Sequence, residues 1–549
     1  MATDAFLPKG SVDAWVPSAL EGIRLTLEIA DEKRIKLIVN GGARNPKGMA
    51  ERVHELIGEK GFNLVVAYVE GDDLMPRVHE LINKGLTPHL DSANQDVQLD
   101  DQTRSFLSLA DEEKRIITAD AYLGYRAIKR GLDEGADIII CGRVADASPV
   151  MAAAAWWHGW TESHLDELAG SLIAGHLIEC STYVTGGNFA GAYTRPAKEF
   201  VHLGAGIAEI DGRGDCVITK HDALNGFVTA DTVKCQLLYE LQGNIYLNSD
   251  VKADIADVTI TQVAENRVMV AGAKGYPPPP TTKLAVFYHG GWQCELLVNA
   301  CGYATDHKWD TQEVQFRTVL EEWGAMDKMD VLEFQRIGTA MENPRSQLAS
   351  TTYMRIFAQA RDQAVLGKLH QAWYYHFMSH FPALVSQSEI EESVTVIHQD
   401  DASKQRRHLV GPPWKTEPLA PRLDYDSPRP VPLESFGPAS TRPLGDLVLG
   451  RSGDKGANVN LGLYVQTEEQ WEWFRSFMTR AQLRTLMGKD WRDFYHIERV
   501  ELPNIFAVHF VVYGLLGRGV SSASTVDCLG KGFAEFIRAV YAPMPEKFF

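Results

Sequence analysis

The stretch GHLIECSTYVTGGNFAG, residues 175–191, places a histidine, a glutamate and a cysteine within five positions. Apolar residues precede them at helical spacing, which predicts His176, Glu179 and Cys180 on one face of a helix. Three interpretations are open. His176 could act with Glu179 or Cys180 in acid–base or nucleophilic chemistry. His176 and Glu179 could bind a divalent metal, or Cys180 could pack as a small apolar residue while His176 satisfies backbone groups.

A glycine-broken loop follows directly, with the sequence Thr185-Gly186-Gly187-Asn188. Its hydroxyl, its amide and its backbone N–H groups could together hold an oxyanion, a carboxylate or a phosphate. A plain turn that ends the helix explains the two glycines as well. We interpret the loop as a candidate substrate-binding segment.

Three short apolar runs indicate the elements that position such groups: RIKLIVN, NLVVAYV and ADIIICG. Helical patterns such as KGMAERVHELIGEKG alternate with them, which predicts βαβ units and a parallel sheet. In that helix, Asn45 is suited to the N-terminal cap, Pro46 to the first helical position and Gly61 to the end. Ligands of such sheets bind at the carboxyl ends of the strands. The residues after these three strands are therefore candidates for a site.

The strand ADIIICG is followed by Arg143 and Asp146. Arg143 could clamp a carboxylate or a phosphate. Asp146 could orient Arg143, act as a second acid–base group or bind a metal. A purely structural ion pair is the alternative.

The other two strand ends carry an acidic and a glycine-rich turn. Glu70, Asp72 and Asp73 could chelate a cation or raise one another's pKa, or they could form a solvated loop. Asn40, Gly41 and Gly42 precede a helix and could contact an anion or an acyl chain, or form an ordinary tight turn.

Beyond residue 200 the pattern changes to shorter, partly antiparallel strands with few helices. We predict an α/β fold with a parallel-sheet region (1–200), a mixed α+β region that completes the large domain (201–409), a proline-rich linker (410–442) and a small ferredoxin-like α+β domain (443–549). In the last of these, RSGDKGANVN is either a long polar loop between two strands or a hairpin that carries polar side chains. Its Asp454 and Lys455 could close the site from the C-terminal domain.

Composition limits the partners. The formal net charge of −18 disfavours nucleic acid and anionic membranes. The chain has no apolar run of membrane-spanning length, and its seven cysteines lack CxxC pairing. We expect a cytoplasmic homo-oligomer that acts on a small molecule.

Four motifs in order, GADIIICGRVADAS, AGHLIECSTYVTGGNFAG, GYPPPPTTKLAV and RSGDKGANVNLG, resemble the acyclic terpene utilisation (AtuA-type) family. The resemblance implies a large α/β region, a ferredoxin-like C-terminal domain and a role in a route that runs through coenzyme A thioesters. Many members carry an additional N-terminal strand–helix segment with a Gly-Asp-Arg turn. This chain opens just before EGIRLTLEIADEKR, so we expect substitutes for that segment or a divergent activity.

Two hypotheses follow. The first is a lyase, hydratase or hydrolase that acts by acid–base chemistry on a terpenoid-type or polyketide-type carboxylic acid or an acyl-CoA. In it, His176 is the base that Glu179 orients, and Asp146 is a second acid–base group. It needs no redox cofactor; CoA is part of the substrate, and a divalent metal is an open alternative. The second hypothesis is a non-catalytic binding or assembly partner of a metabolic pathway, which predicts that His176 and Asp146 are tied into structural pairs.

Overall fold

The computed structural model describes residues 14–84, 116–187, 189, 191–238, 244–288, 291–376, 379, 393–398, 401–409, 424–455, 458–503, 506–516, 527 and 529–549. The chain divides into two compact units, Met1–His289 and Gly290–Phe549. The predicted domain boundaries at residues 200, 409 and 442 stay predictions.

The helices described in the first unit are α1 (Pro17–Lys33), α2 (Pro46–Lys60), α3 (Val78–Asn83), α4 (Arg126–Asp133), α5 (Ser148–His158), α6 (Leu165–Ile178) and α7 (Ala230–Leu237). Its described strands are β1 (Leu37–Val39), β2 (Val66–Val69), β3 (Ile116–Ala121), β4 (Ile138–Cys141), β5 (Gly206–Ile210), β6 (Cys216–Lys220), β7 (Ile245–Leu247), β8 (Lys252–Asp254), β9 (Thr259–Ala264), β10 (Arg267–Ala271), β11 (Lys274–Tyr276) and β12 (Leu284–Tyr288).

The predicted parallel sheet is confirmed, with the strand order β1-β4-β2. The central strand β4 is buried along its whole length. Ile138 and Ile140 pack with α1 and α2, whereas Ile139 and Cys141 pack in the cluster that includes α4, α5 and α6. A strand covered on both faces reads as a continuous apolar run, which is why ADIIICG shows no alternation.

Local signals account for the helix that follows β1. The Asn45 side chain accepts a hydrogen bond from the Gly48 N–H, Pro46 occupies the first helical position, and Gly61 ends the helix in the left-handed conformation. These three residues were predicted for these roles, and the structure confirms all three.

Two further sheets in the first unit are antiparallel, with the orders β5-β6-β10-β9 and β11-β8-β7. A separate pair joins β3 to β12, although about half of the unit's sequence lies between them. The change from parallel to antiparallel pairing beyond residue 200 is as predicted.

The helices described in the second unit are α8 (Thr305–Glu322), α9 (Gln363–Tyr375), α10 (Glu468–Phe477), α11 (Arg480–Met487) and α12 (Phe533–Ala539). Its described strands are β13 (Trp292–Cys301), β14 (Met329–Ile337), β15 (Thr351–Ala360), β16 (Ser393–His398), β17 (Asp401–Leu409), β18 (Ala439–Pro443), β19 (Leu449–Lys455), β20 (Asn458–Tyr464), β21 (His496–Leu502), β22 (Ala507–Tyr513) and β23 (Tyr541–Pro545). Among all these described helices, in both units, none combines the length and the apolar character of a membrane span.

The second unit contains two layered parts. A sheet β13-β15-β14 packs its buried face against α8 and α9 around Phe316 and Leu369. The antiparallel sheet β19-β20-β22-β21 packs with α10, α11 and α12 around Trp473 and Phe510. This part is the predicted ferredoxin-like α+β domain.

Of the two interpretations of RSGDKGANVN, the long polar loop is wrong and the hairpin is confirmed. Strand β19 runs through Lys455 and β20 begins at Asn458, and Lys455 and Asn458 are paired across the two strands. The motif is a hairpin with polar residues along its strands. Polar side chains and glycines are compatible with a two-stranded ladder as well as with a loop, so composition alone does not separate the two.

Candidate active site

The three predicted strand ends meet at one edge of the parallel sheet. The Gly42 N–H donates to the Cys141 carbonyl over 3.0 Å, and the Gly142 N–H donates to the Val69 carbonyl over 3.3 Å. A Cβ atom at Gly42 would lie 2.6 Å from the Cys141 oxygen, so only glycine lets the turn approach this closely. Asn40 is exposed at the start of this turn, and Gly41 is buried with Gly42.

Asp72 is the buried carboxylate of this edge. It is 6% exposed, and its Oδ2 accepts a hydrogen bond from the Arg143 N–H over 2.5 Å. Burial raises the pKa of Asp72 above its usual value, and the hydrogen bond from Arg143 only partly opposes this effect. Asp72 therefore holds the turn after β4 through this bond, while burial disfavours the ionised form of its carboxyl group.

Asp73 and Asp120 face each other across an antiparallel bridge. The flanking bonds run from the Leu74 N–H to the Ala119 carbonyl and from the Ala121 N–H to the Asp72 carbonyl, both 2.8 Å. This pattern defines a non-hydrogen-bonded pair, in which Cα atoms lie about 4.5 Å apart and the side chains share a face. Burial raises the pKa of Asp120, and the charges of Asp72 and Asp73 raise it further.

Two cationic side chains pack against Tyr122, the residue that follows β3. The Arg143 guanidinium lies 5.5 Å from the centre of the Tyr122 ring, and the Lys283 ammonium lies 4.1 Å from it. Arg143 also approaches Asp146, with 4.0 Å between Nη1 and Oδ1, while half of the Asp146 side chain stays exposed. The predicted pair of Arg143 and Asp146 is therefore a loose contact beside the acids.

Backbone hydrogen bonds join segment 119–123 to the turn after β4. The Leu123 N–H donates to the Arg143 carbonyl, and the Ala145 N–H donates to the Leu123 carbonyl. The end of β3 thus lies between the turns after β2 and β4. Glu70 is exposed on the first of these turns.

A metal at this edge stays a prediction from the sequence. Among the described residues, no group of three or more His, Cys, Asp or Glu side chains has an arrangement that could hold a metal ion.

His176 occupies a different environment from the one predicted for a base in a cleft. Its ring is 1% exposed, and its Nε2 lies 3.2 Å from the Leu237 carbonyl oxygen. The ring packs edge-on against Tyr246, and Nδ1 is 3.4 Å from Glu179 Oε1. The contact between His176 and Glu179 is as predicted, but the ring faces α7 and β7.

The sequence pattern predicts Cys180 on the same helix as His176, and this prediction is wrong. Helix α6 ends at Ile178, Glu179 is its C-terminal cap, and Ser181 adopts a positive φ of 52°. The chain turns before Cys180 can continue the helical face. Cys180 is partly buried in this turn.

The loop after Cys180 uses its backbone donors internally. The N–H groups of Thr185 and Gly187 both donate to the Thr182 carbonyl, and the Gly186 N–H donates to the Tyr183 carbonyl. The Thr185 hydroxyl donates to the Gly204 carbonyl over 2.6 Å. These groups are occupied in the turn that ends α6, whereas Asn188 lies outside the described residues.

Asp454 and Lys455 lie in strand β19, and their side chains lie outside the described part of the chain. Their predicted role in closing the site stays a prediction.

Sequence reasoning gave no role to Asp120, and Tyr122 and Arg44 were not singled out either. The available signal was the alternation of Thr118, Asp120 and Tyr122 in a β-branched run, which is typical of a strand with one polar face.

The first unit is thus an α/β unit whose parallel sheet is covered on both faces. A cluster of acidic and cationic side chains lies at the carboxyl edge of that sheet. Residues 5–407 match the acyclic terpene utilisation family protein AtuA, and residues 442–542 match the AtuA ferredoxin-like domain. The chain belongs to the AtuA family, which is implicated in acyclic terpene utilisation. Comparisons with curated proteins and with solved structures gave no match.

Proposed function

We propose that the chain is an enzyme of acyl or carboxylic acid metabolism that moves a proton at the carboxyl edge of its parallel sheet. The observation that supports this proposal is Asp120. It is a partly buried carboxyl group whose pKa is raised by burial and by two neighbouring carboxylates. A carboxyl group in this state takes up and gives up a proton closer to neutral pH than an ordinary aspartate does.

The reaction class that fits is addition–elimination, as in a hydratase or lyase. The Asp120 carboxylate accepts a proton from the carbon next to the acyl carbonyl, and the C–H electron pair forms an enolate. Its negative charge resides on the acyl oxygen, where a guanidinium such as that of Arg143 stabilises it. Arg143 is suitably placed, because its backbone is held by Asp72 and its side chain lies beside Tyr122.

Asp72 acts as a positioning residue, since it is almost fully buried and holds the turn that carries Arg143. Asp146, half exposed beside Arg143, is the second acid–base candidate. The geometry favours these groups over His176, whose ring nitrogens face a backbone carbonyl and Glu179. The substrate can be a free acid or an acyl-CoA, and a cytoplasmic homo-oligomer remains our prediction.

Hydrogen–deuterium exchange tests the proposal without knowledge of the product. The protein is incubated in D₂O with branched free acids and with the matching acyl-CoA thioesters, and proton NMR follows the hydrogen next to the carbonyl. We expect exchange with the wild type, at least a hundredfold slower exchange with Asp120→Asn, and unchanged exchange with Asp231→Asn. Asp231 is an exposed aspartate in α7 and serves as the matched control.

A non-catalytic partner protein is the second candidate, because His176 is tied to the Leu237 carbonyl as that hypothesis predicts. It predicts no exchange with any acyl compound in the panel. It also predicts that Asp120→Asn leaves binding to pathway enzymes unchanged.

A further inference from the structure

Arg44 lies in the glycine-rich turn between β1 and α2, on the edge that carries the three carboxylates. Its backbone N–H donates to the Ala14 carbonyl over 3.1 Å, so the main chain of the turn is held independently of the side chain. Asn45, the next residue, caps α2. The Arg44 side chain therefore extends from a fixed point.

The Arg44 guanidinium carries an unmet hydrogen-bond donor. Its Nη1 atom is inaccessible to solvent, and within the described part of the chain no acceptor lies in hydrogen-bond range of it. Leaving a buried charged donor unpaired costs free energy, and native proteins rarely retain such a donor without a partner. A ligand oxygen is the partner that this geometry lacks.

The position of Arg44 relative to Asp120 supports this interpretation. The positive charge of Arg44 lies close enough to Asp120 to lower its pKa in part. The turn that carries Arg44 is held to the end of β4 by the bond from the Gly42 N–H to the Cys141 carbonyl, so an anionic group held by Arg44 would lie at the sheet edge that also carries Asp120. The unmet donor, on a turn at the same sheet edge as Asp120, points to one ligand position.

We propose that Arg44 binds an anionic oxygen group of the substrate and so sets the distance from that group to Asp120. The inference deepens the proposed function, on which it rests for the identity of the site. Two chemical sources supply such a group: the carboxylate of a free acid or a phosphate of coenzyme A. A planar guanidinium accepts either through paired N–H bonds.

Isothermal titration calorimetry with four probes separates these sources: 3-methylbutanoate, its neutral amide, coenzyme A and inorganic phosphate. We expect Arg44→Met to weaken binding of at least one anionic probe about ten- to hundredfold and to leave the neutral amide unaffected. Arg44→Lys should recover part of the affinity, because it keeps the charge without the paired donors. Arg52→Met, at a partly exposed arginine of the helix α2 that follows this turn, is the matched control.

Loss confined to 3-methylbutanoate identifies the carboxylate, and loss confined to coenzyme A and phosphate identifies the phosphate. Equal affinity of the wild type and Arg44→Met for every anion, or no anion binding by a folded wild type, would overturn the inference. Circular dichroism checks that each variant is folded. Asp120→Asn separates this inference from the proposed function: it should abolish exchange yet bind the anion as tightly as the wild type or more tightly, since it removes a negative charge.

Discussion

Replacing Asp72 with asparagine should stabilise the protein at neutral pH. Asparagine keeps the size of the side chain and an oxygen that can accept the Arg143 N–H bond, which is 2.5 Å long in the structure. It removes a charge that is almost fully buried. Burial raises the pKa of Asp72 by more than the hydrogen bond from Arg143 lowers it. The ionised carboxylate therefore destabilises the folded state at neutral pH.

The sign follows from proton linkage. The folded pKa of Asp72 lies above its unfolded value, so the folded state binds more protons between the two values and loses stability as pH rises through them. Each unit of pKa difference corresponds to about 1.4 kcal/mol. We expect Asp72→Asn to increase the free energy of unfolding by about 1 kcal/mol at about pH 7, and the gain to shrink as pH falls towards about pH 4.

Urea unfolding of the wild type, Asp72→Asn and the exposed control Asp231→Asn at several pH values measures this gain. The control should change stability by less than about 0.5 kcal/mol at every pH. A loss of stability with Asp72→Asn at neutral pH would refute the reasoning, since it would mean that the turn after β4 stabilises the Asp72 carboxylate more than burial penalises it.

Three further predictions concern the fold and the site. Lys308→Met should lower the free energy of unfolding by about 1–3 kcal/mol in a denaturant titration, because it removes one of the two ion pairs of the buried Glu535 and leaves Arg538 as its remaining partner. Gly42→Ala should cost about 1–3 kcal/mol in the same assay and weaken anion binding in calorimetry, because its Cβ would meet the Cys141 carbonyl at 2.6 Å. Thr185→Val should cost about 1–3 kcal/mol in thermal unfolding and leave hydrogen–deuterium exchange unchanged, because its hydroxyl serves a buried turn.

Matched variants and contrary outcomes complete these tests. Lys547→Met removes an exposed pair with Glu469 and should cost less than about 1 kcal/mol; an equal cost for Lys308→Met would contradict the buried-pair argument. Gly58→Ala lies on α2 with no atom near its would-be Cβ, and it should be tolerated where Gly42→Ala is not. Slower hydrogen–deuterium exchange of the acyl compound with Thr185→Val would contradict this prediction and would show that the loop after α6 belongs to the site.

Much of the first unit could be predicted because its signals are local. Asn45, Pro46 and Gly61 define the limits of α2 through their own backbone preferences, and the apolar run of β4 indicates burial on both faces. The placement of three strand ends at one edge then follows from parallel topology alone. That reasoning located Asp72 and Arg143 correctly at a shared edge.

The remaining features depend on contacts between distant segments. Asp120 reaches this edge only because β3 pairs with β12, far along the chain, and because residues 119–123 lie between two turns. The orientation of His176 depends on Leu237 and Tyr246, which a helical repeat cannot reveal. Periodicity predicts which face of a helix is buried, but it does not predict what that face packs against.

The exchange assay on Asp120→Asn is the most direct test of whether Asp120 transfers the proton. We expect wild-type protein to exchange the hydrogen next to the carbonyl of an acyl compound at a rate that rises with pH through the raised pKa of Asp120. We expect Asp120→Asn, correctly folded, to lose this exchange while Asp231→Asn retains it. Exchange that persists at the wild-type rate in Asp120→Asn would contradict the assignment of Asp120 as the proton-transfer group.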